Sequence, residues 1–258
     1  MHFIDTHCHF DFPVFDADRP DLVQSMQQAG VSDLIFPAVT AITWPRLKKL
    51  ADSSPHFHAS YGLHPMFMAT HRTGDIAQLR QWLEDKRPVA VGECGLDFYI
   101  PGADKTAQTE LFKQQLWLAK DFDLPLIIHA RKALDEIMKY IRQTGSVRGV
   151  IHSFSGSRQQ AERLIEQGFY LGVGGTITYE RAKRLRKVMS IVPTECLLLE
   201  TDAPDQPDSN WSGKRNEPAR LPVIAAALAK IRQTSPEQIA AITTRNAQQL
   251  FGIMSETR

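Results

Sequence analysis

The fold is indicated most clearly by a short apolar run that ends abruptly in polar residues, Leu126-Ile127-Ile128-His129-Ala130-Arg131. Strands that are buried on both faces, as in a parallel sheet, read as continuous hydrophobic runs rather than as an alternating pattern. Leu197-Leu198-Leu199 has the same character, and six further runs have the length of a strand. The predicted strands are Phe3–His7, Asp33–Val39, His58–Gly62, Val89–Gly92, Leu126–His129, Gly149–His152, Tyr170–Val173 and Leu197–Thr201.

Amphipathic helical segments separate these strands. In the segment Gly74–Asp85, for example, Ile76, Leu79 and Leu83 recur at helical spacing and share one face. The predicted helices are Asp18–Ala29, Thr43–Asp52, Gly74–Asp85, Lys105–Asp123, Leu134–Thr144, Arg158–Gln167, Glu180–Ile191 and Leu221–Thr234, followed by a last helix that begins at Ser235-Pro236-Glu237.

Eight alternating strand–helix units in 258 residues predict a (β/α)8 TIM barrel, an α/β fold that forms a single domain over residues 1–258. The competing architecture is a doubly wound open sheet, which usually carries a glycine-rich phosphate loop after its first strand. The nearest such stretch, Gly172-Val173-Gly174-Gly175, comes late in the chain and lacks the full spacing. The long, irregular segment Ala203–Pro218 follows the last strand, so we expect it to be a functional loop over the active face.

Composition and charge place the chain among ordinary globular proteins. The net charge is +1, so the protein as a whole exerts little attraction on nucleic acid or on an anionic membrane. The three cysteines, Cys8, Cys94 and Cys196, are odd in number and lie in or beside predicted strands, which favours a reducing compartment. No apolar run approaches 18 residues and no signal peptide is recognisable. We therefore expect a cytoplasmic protein without a membrane partner, and the lack of a heptad repeat or a long exposed apolar stripe favours a monomer.

Polar residues follow most of the predicted strands, and a barrel brings the C-terminal ends of its strands together on one face, where barrel enzymes place their active sites. Six residues of metal-binding type from five strands are difficult to explain as packing, although a purely structural hydrogen-bond network is the alternative. Four imidazoles around one ion would leave the carboxylates unused, which favours two ions with a carboxylate between them. The candidate ligands are His7, His9, Glu93, His129, His152 and Asp202.

The ordered set of motifs resembles the TatD family of metal-dependent hydrolases, which are barrels of the amidohydrolase superfamily and whose characterised members are deoxyribonucleases. The resemblance spans nearly the whole chain. The motifs are Asp5-Thr6-His7-Cys8-His9, Gly62-Leu63-His64-Pro65, Gly92-Glu93-Cys94-Gly95-Leu96-Asp97, His129-Ala130-Arg131, His152-Ser153-Phe154-Ser155-Gly156, Glu200-Thr201-Asp202-Ala203-Pro204 and Arg215-Asn216-Glu217-Pro218.

The resemblance implies a catalytic role for the two carboxylates. Asp202 would bind the first ion together with His7 and His9, and would act as the base for the attacking water. Glu93 would bridge the two ions. An aspartate in such a position accepts a proton and passes it to a leaving oxygen.

The second ion would be held by His129 and His152. The cofactor is then two divalent ions per subunit, with Zn, Mn or Mg compatible with histidine and oxygen ligands. Cys8 and Cys94 are not expected to be ligands, because strand alternation points them away from the neighbouring ligands.

Substrate contacts are predicted for His64 and Arg131. The alternative for His64 is a structural, hydrogen-bonded histidine, and for Arg131 it is a surface ion pair. The guanidinium of Arg131 presents donors that match a phosphate. Glu200 is predicted to support the site from behind, with a buried ion pair as the alternative.

The expected function is that of a metal-dependent hydrolase of ester bonds, a deoxyribonuclease that cleaves DNA phosphodiesters. The alternatives are an amidase, lactonase or small-phosphoester hydrolase on the same barrel, and a non-enzymatic metal-binding scaffold. Glu93 stands where many amidohydrolases have a carboxylated lysine, which favours the nuclease, and Asp202 argues against a scaffold.

DNA binding is expected to be modest, because no dense basic run was recognised in the sequence. The candidate phosphate contacts are Arg131, Lys132, Arg158, Lys214 and Arg215. The aromatic residues that could stack on unpaired bases, with loop packing as the alternative, are Phe98, Tyr99, Phe154 and Trp211.

Overall fold

Eight parallel strands lie side by side in chain order in the computed structural model, which describes residues 1–253. Each strand pairs in parallel with the next, and at least one helix separates them along the chain. This arrangement confirms the predicted (β/α)8 barrel. The strands are β1 (Phe3–Asp5), β2 (Val31–Pro37), β3 (Phe57–Tyr61), β4 (Ala90–Asp97), β5 (Leu126–Arg131), β6 (Gly149–Ile151), β7 (Phe169–Val173) and β8 (Leu197–Leu199).

The helices begin and end close to their predicted positions. The last one begins as predicted, with the Ser235 hydroxyl accepting a hydrogen bond from the backbone N–H of Gln238 at 3.2 Å and with a proline in the first turn. The α-helices are α1 (Arg19–Gln28), α2 (Trp44–Ala51), α3 (Asp75–Lys86), α4 (Lys105–Asp121), α5 (Leu134–Thr144), α6 (Arg158–Glu166), α7 (Lys183–Met189), α8 (Leu221–Arg232) and α9 (Pro236–Phe251).

The first and last strands meet through a small set of hydrogen bonds that closes the barrel. The backbone N–H of Thr6 donates to the carbonyl of Leu199 at 3.0 Å. The buried carboxylate of Asp5 accepts from the Thr201 backbone N–H at 2.9 Å and from the Thr201 hydroxyl at 2.6 Å. A buried carboxylate with these donors fixes the register of two segments almost 200 residues apart, so β1 lies beside β8.

Two apolar clusters fill the fold. The larger one contains strand residues such as Leu126 and Ile128 together with helix residues such as Leu116, and so lies between the sheet and the helices. In the smaller one, alternate strand residues such as Ile127 pack with the end of α9, including Leu250. Alternate side chains of a strand point to opposite faces, so the two clusters occupy opposite faces of the sheet.

Strand lengths differ from the prediction where the site begins. β1 ends at Asp5, so His7 and His9 lie in the irregular segment after the strand rather than on it. β4, in contrast, continues through Glu93 to Asp97. The predicted extension of the first strand to His7 was therefore wrong. After Asp5 the backbone bonds to both neighbours of β1: the Cys8 N–H donates to the Ile35 carbonyl in β2 at 3.1 Å, and the His9 N–H donates to the Ala203 carbonyl after β8 at 2.8 Å.

In residues 1–253, none of the helices combines the length and the apolar character needed to cross a membrane. The single domain expected over residues 1–258 stays a prediction, and its last five residues lie outside the described part of the chain.

Candidate metal centre

The six candidate ligands come together at one end of the barrel, although they are spread over almost 200 residues of sequence. Five of them have less than a tenth of their surface exposed, and His129 is slightly more open. A cavity of about 520 Å³ opens onto the group, and its lining includes both residues predicted to contact substrate, His64 and Arg131. The structure therefore places the predicted ligands and the predicted substrate contacts in a single site.

One group of ligand atoms surrounds Oε2 of Glu93. The Nε2 atoms of His7 and His9 lie 3.2 Å and 3.4 Å from this oxygen, and 3.3 Å from each other. Asp202 Oδ1 lies 3.4 Å from His7 Nε2. Glu93 Oε2 has no hydrogen-bond partner within residues 1–253. Buried polar atoms are normally satisfied, so this crowding of unsatisfied acceptors fits a bound cation.

A second group surrounds the other oxygen of the same carboxylate. Glu93 Oε1 lies 3.3 Å from His129 Nδ1 and 3.3 Å from His152 Nε2. It also accepts a hydrogen bond from His64 Nε2 at 3.0 Å. The two oxygens of Glu93 thus face two different sets of histidines, which is the arrangement that a bridging carboxylate requires.

Two of the histidines are oriented by acceptors on their far side. His9 Nδ1 lies 3.2 Å from the carbonyl oxygen of Pro37. His129 Nε2 lies 3.1 Å from Oδ2 of Asp97, a residue near the end of β4. Each ring nitrogen that donates to such an acceptor leaves the other nitrogen with a free lone pair. When the rings are neutral, these lone pairs point at Glu93, as metal ligands require.

Glu200 lies behind His152. Its Oε1 accepts a hydrogen bond from the Ser153 backbone N–H and lies 3.5 Å from His152 Nδ1, without the alignment of a full hydrogen bond. The carboxylate is completely buried and sits against the backbone of Gly172 in β7. A Cβ atom at Gly172 would lie 2.4 Å from Glu200 Oε2, so only glycine leaves room for this side chain.

The tautomer of His64 makes this residue a hydrogen-bond donor to Glu93. Its Nδ1 accepts the backbone N–H of Met66 at 3.0 Å, so the proton of a neutral ring must be on Nε2. That Nε2–H is the donor to Glu93 Oε1. Burial lowers the pKa of His64 to about 4, which keeps the ring neutral.

Asp202 adopts a left-handed backbone conformation, with φ of +59°. Aspartate and asparagine tolerate this region better than most residues with a side chain. The Asp202 N–H donates to the His7 carbonyl at 2.8 Å, which joins the end of β8 to the histidine segment. Asp202 Oδ2 accepts a hydrogen bond from the amide of Gln206.

Gln206 in turn links three strand ends. Its Oε1 accepts from the hydroxyl of Ser153, after β6, at 2.8 Å and from the hydroxyl of Thr176, after β7, at 3.3 Å. Because its oxygen is occupied by two donors, its amide nitrogen must face Asp202. Gln206 therefore fixes the orientation of the Asp202 carboxylate.

Burial and the surrounding charges have opposing effects on the pKa values of Glu93 and Asp202, and a different one dominates at each residue. Burial opposes a charge on Glu93, but the surrounding histidines, of which His64 contributes most, hold the pKa of this carboxyl well below its usual range. Burial instead dominates at Asp202 and raises its pKa to about 6, against the opposing charge of His152.

The pKa values of the histidines in the centre also shift in different directions. Burial lowers the pKa of His7 well below its usual range. Burial also disfavours protonation of His9 and His152, but the Glu93 carboxylate outweighs it and the pKa values rise to about 9 and about 10. The carboxylates thus hold protons on two imidazoles, and a cation that binds there must displace those protons. The donor set as a whole fits a divalent metal.

Arg131 lies at the mouth of the cavity. Its guanidinium carbon is 3.9 Å from the centroid of the Tyr99 ring, and both side chains are exposed. No carboxylate of residues 1–253 lies within ion-pair distance of Arg131, so its donors remain available to a substrate.

The other predicted nucleic-acid contacts are mostly engaged elsewhere. Arg158 pairs with Glu162 at 2.6 Å, and Arg215 pairs with Asp18. Phe154 is 2% exposed and belongs to the core, so the prediction that it stacks on a base was wrong. Lys132 is exposed, next to Arg131.

Two further aromatic residues are covered by cations. Lys105 lies 5.0 Å from the centroid of the partly buried Phe98 ring, and Lys214 lies 4.1 Å from that of Trp211. The indole N–H of Trp211 donates to the carbonyl of Arg215 at 2.9 Å, which is loop packing. The Tyr99 ring also lies against a cation, Arg131, but Tyr99 is 55% exposed and is the most exposed of the four predicted aromatic residues.

The two buried cysteines point away from the centre, as expected. The Cys8 thiol contacts the Ala203 carbonyl at 3.7 Å, and the Cys94 thiol contacts the Ile127 carbonyl at 3.7 Å. Neither belongs to a group of converging ligand atoms in residues 1–253.

The arrangement of the site can now be compared with known proteins. The model of the TatD related DNase family matches residues 4–252, which is nearly the whole chain. The chain belongs to the TatD family of metal-dependent hydrolases. This finding confirms the resemblance seen in the sequence motifs.

Individual relatives of this TatD family member cover nearly its full length. It is 42% identical to the uncharacterized metal-dependent hydrolase YjjV of Escherichia coli K12, over 97% of this chain and 98% of that protein. The crystal structure of E. coli YjjV matches it with a TM-score of 0.94 and 41% identity, over 98% of each chain. It is 34% identical to the 3'-5' ssDNA/RNA exonuclease TatD of Citrobacter rodentium, over 93% of this chain and 94% of that protein.

Sequence reasoning missed two residues of the site. Asp97 stood in a recognised motif, and its position after Glu93 on a strand end was a usable signal. Gln206 gave no signal, because nothing in the sequence places the loop after β8 against the ends of β6 and β7.

Proposed function

We propose that this TatD family hydrolase is a nuclease that cleaves phosphodiester bonds of DNA with two divalent ions, Zn, Mn or Mg. The single observation that carries the proposal is the position of Glu93, whose two oxygens face two separate groups of ligand atoms. The ssDNA/RNA exonuclease of C. rodentium, at 34% identity, supports a nucleic acid as the substrate.

In this proposal His7, His9 and Asp202 would hold one ion, and Glu93 would contribute one carboxylate oxygen to each ion. Two divalent ions, when bound, neutralise charge on a phosphate and make water a stronger nucleophile.

The second ion is held by His129 and His152. Asp97 orients the His129 ring from behind at 3.1 Å, and the Glu200 carboxylate lies 3.5 Å from His152 Nδ1. Ligands that are fixed in this way lose little freedom when the ion binds.

Asp202 acts as the base. Its Oδ1 faces the histidines of the first group, and its Oδ2 is held by Gln206. Oδ2 retains a lone pair for the proton of the attacking water, and the resulting carboxylic acid then donates that proton to the leaving oxygen.

Arg131 is proposed to bind a phosphate oxygen at the mouth of the cavity, because its fork of donors suits that geometry. His64 lines the same cavity, but both of its ring nitrogens already have partners. We therefore propose that His64 packs against the substrate and holds Glu93 in place. A monomer is part of the same proposal, and so is a cytoplasmic location, which the three free cysteines support.

The test is cleavage of end-labelled single- and double-stranded DNA with and without EDTA, for the natural chain and for Asp202→Asn. Asparagine keeps the size and the left-handed backbone of Asp202 but removes the base. We expect metal-dependent cleavage that falls by at least about 100-fold in the variant.

If metal-replete protein leaves DNA intact but hydrolyses members of an ester and amide panel, the amidase, lactonase or small-phosphoester alternative replaces the nuclease. If nothing is hydrolysed while metal still binds, the scaffold alternative replaces both.

A further inference from the structure

A basic surface borders the metal centre on the side of α7. Five of the seven residues from 181 to 187 are lysine or arginine. The expectation that the sequence has no dense basic run was therefore wrong. We define the α7 ridge as Arg181, Lys183 and Arg184, which are all exposed.

The cations of the α7 ridge are free to bind an anion. No carboxylate of residues 1–253 lies within ion-pair distance of any of the three. Arg186 in the same run is different, since it donates to the Ile177 carbonyl at 2.8 Å and so has a structural role. Glu180 is the nearest acidic residue in sequence, so the surface carries a strong local excess of positive charge on a chain with a net charge of only +1.

A cavity of about 360 Å³ lies between the ridge and the metal centre. Its lining includes Arg181 and Tyr179, and it shares Thr176 and Gln206 with the cavity over the candidate ligands. The two cavities therefore adjoin. A strand that enters one can continue into the other without leaving the surface.

Arg181 is oriented by its neighbours. Its guanidinium carbon lies 4.8 Å from the centroid of the Tyr179 ring, and the Tyr179 hydroxyl donates to the Pro207 carbonyl at 3.0 Å. A ring that is anchored at its hydroxyl gives the guanidinium a fixed platform. Arginine on such a platform is well suited to bind a phosphate.

We propose that the α7 ridge and its cavity bind the phosphates of a single-stranded nucleic acid on one side of the scissile bond. The inference rests on the proposed nuclease function and extends the site from one phosphate to several nucleotides. The cavity beside the α7 ridge shares Gln206 with the cavity of the metal centre. This continuity favours a substrate strand as the ligand over a membrane surface.

The test compares two triple variants with the same net charge. R181Q/K183Q/R184Q neutralises the α7 ridge. The control, K49Q/K86Q/K230Q, neutralises three exposed lysines in the last turns of α2, α3 and α8, at the opposite end of the barrel. Both variants are checked first by thermal unfolding. Binding of a fluorescent, non-hydrolysable decathymidylate to the full chain in Mg²⁺ buffer is then measured by anisotropy over a range of salt concentrations.

We expect the ridge variant to bind the decamer at least about tenfold more weakly than the natural chain, and the salt slope of log K to become shallower by about 2. The control is expected to keep the natural affinity and slope. A dinucleotide is too short to reach the ridge, so its affinity should change less than that of the decamer.

If the ridge variant matches the control in both affinity and slope while the natural chain cleaves DNA, the inference fails and the proposed function stands. If the natural chain neither binds the decamer nor cleaves DNA, the proposed function fails and the inference fails with it. If the substitutions abolish binding to phosphatidylserine vesicles but not to the decamer, the ridge is a membrane contact and the inference is overturned.

Discussion

Gly172→Ala tests how tightly the layer behind the metal centre is packed. The added methyl carbon would lie 2.4 Å from Oε2 and 2.7 Å from Cδ of the buried Glu200 carboxylate. Either the Glu200 side chain or β7 must therefore move by about 1 Å to restore ordinary contact. Overpacking of this kind costs about 1–3 kcal/mol, and a weakened hydrogen bond between Glu200 and the Ser153 N–H adds to the cost.

The expected loss in the free energy of unfolding is about 2–4 kcal/mol. For a chain of this length the melting temperature should fall by about 5–15 °C, as measured by circular dichroism. Gly174→Ala is the matched control, because its methyl carbon would lie 3.7 Å from the nearest Glu200 atoms, an ordinary contact. Its effect should stay within about 0.5 kcal/mol.

A double-mutant cycle identifies the cause of the loss. Glu200→Ala removes the atoms that the new methyl group would meet, so Gly172→Ala should cost much less in that background. The reasoning is refuted if Gly172→Ala melts like Gly174→Ala, or if the effects of Gly172→Ala and Glu200→Ala simply add.

Three further predictions concern the centre itself. Asp97→Asn removes the charge behind His129, and we expect metal affinity to fall by about 10–100-fold in a competition titration with a chelating dye; an unchanged affinity would show that Asp97 does not orient this ring. Gln206→Leu removes the donor to Asp202 Oδ2, so kcat for DNA cleavage should fall by about tenfold with little change in metal content; a loss of metal instead would make Gln206 a support of the ligands. Removal of metal with EDTA should lower the melting temperature, and added metal at about 100 times its Kd should restore about 2.7 kcal/mol of stability; a melting curve that ignores EDTA would argue against a structural contribution of the ions.

The barrel was predictable from sequence because buried parallel strands leave a local signal. Leu126–Ile128 and Leu197–Leu199 are continuous apolar runs, and helical spacing between such runs fixes the alternation. The convergence of His7 with Asp202 followed from the barrel itself, since strand ends that are distant in sequence share one face.

What could not be predicted depends on loops and on non-local packing. The segment that carries His7 and His9 bonds to β2 on one side and to the chain after β8 on the other, which no local pattern reports. The fit of Glu200 against Gly172 and the contact of Gln206 with Asp202 are likewise set by the approach of separate strand ends. The α7 ridge was visible in the sequence, but only the adjoining cavities connect it with the metal centre.

The central claim is that Glu93 bridges two ions, and anomalous diffraction from crystals grown with Mn²⁺ or Zn²⁺ tests it most directly. We expect two anomalous peaks, one on each side of the Glu93 carboxylate. The first should lie beside His7 and His9, and the second beside His129 and His152. Two ions that share a carboxylate should lie about 3.5–4 Å apart. A single peak, or two peaks of which one makes no contact with Glu93, would contradict the account.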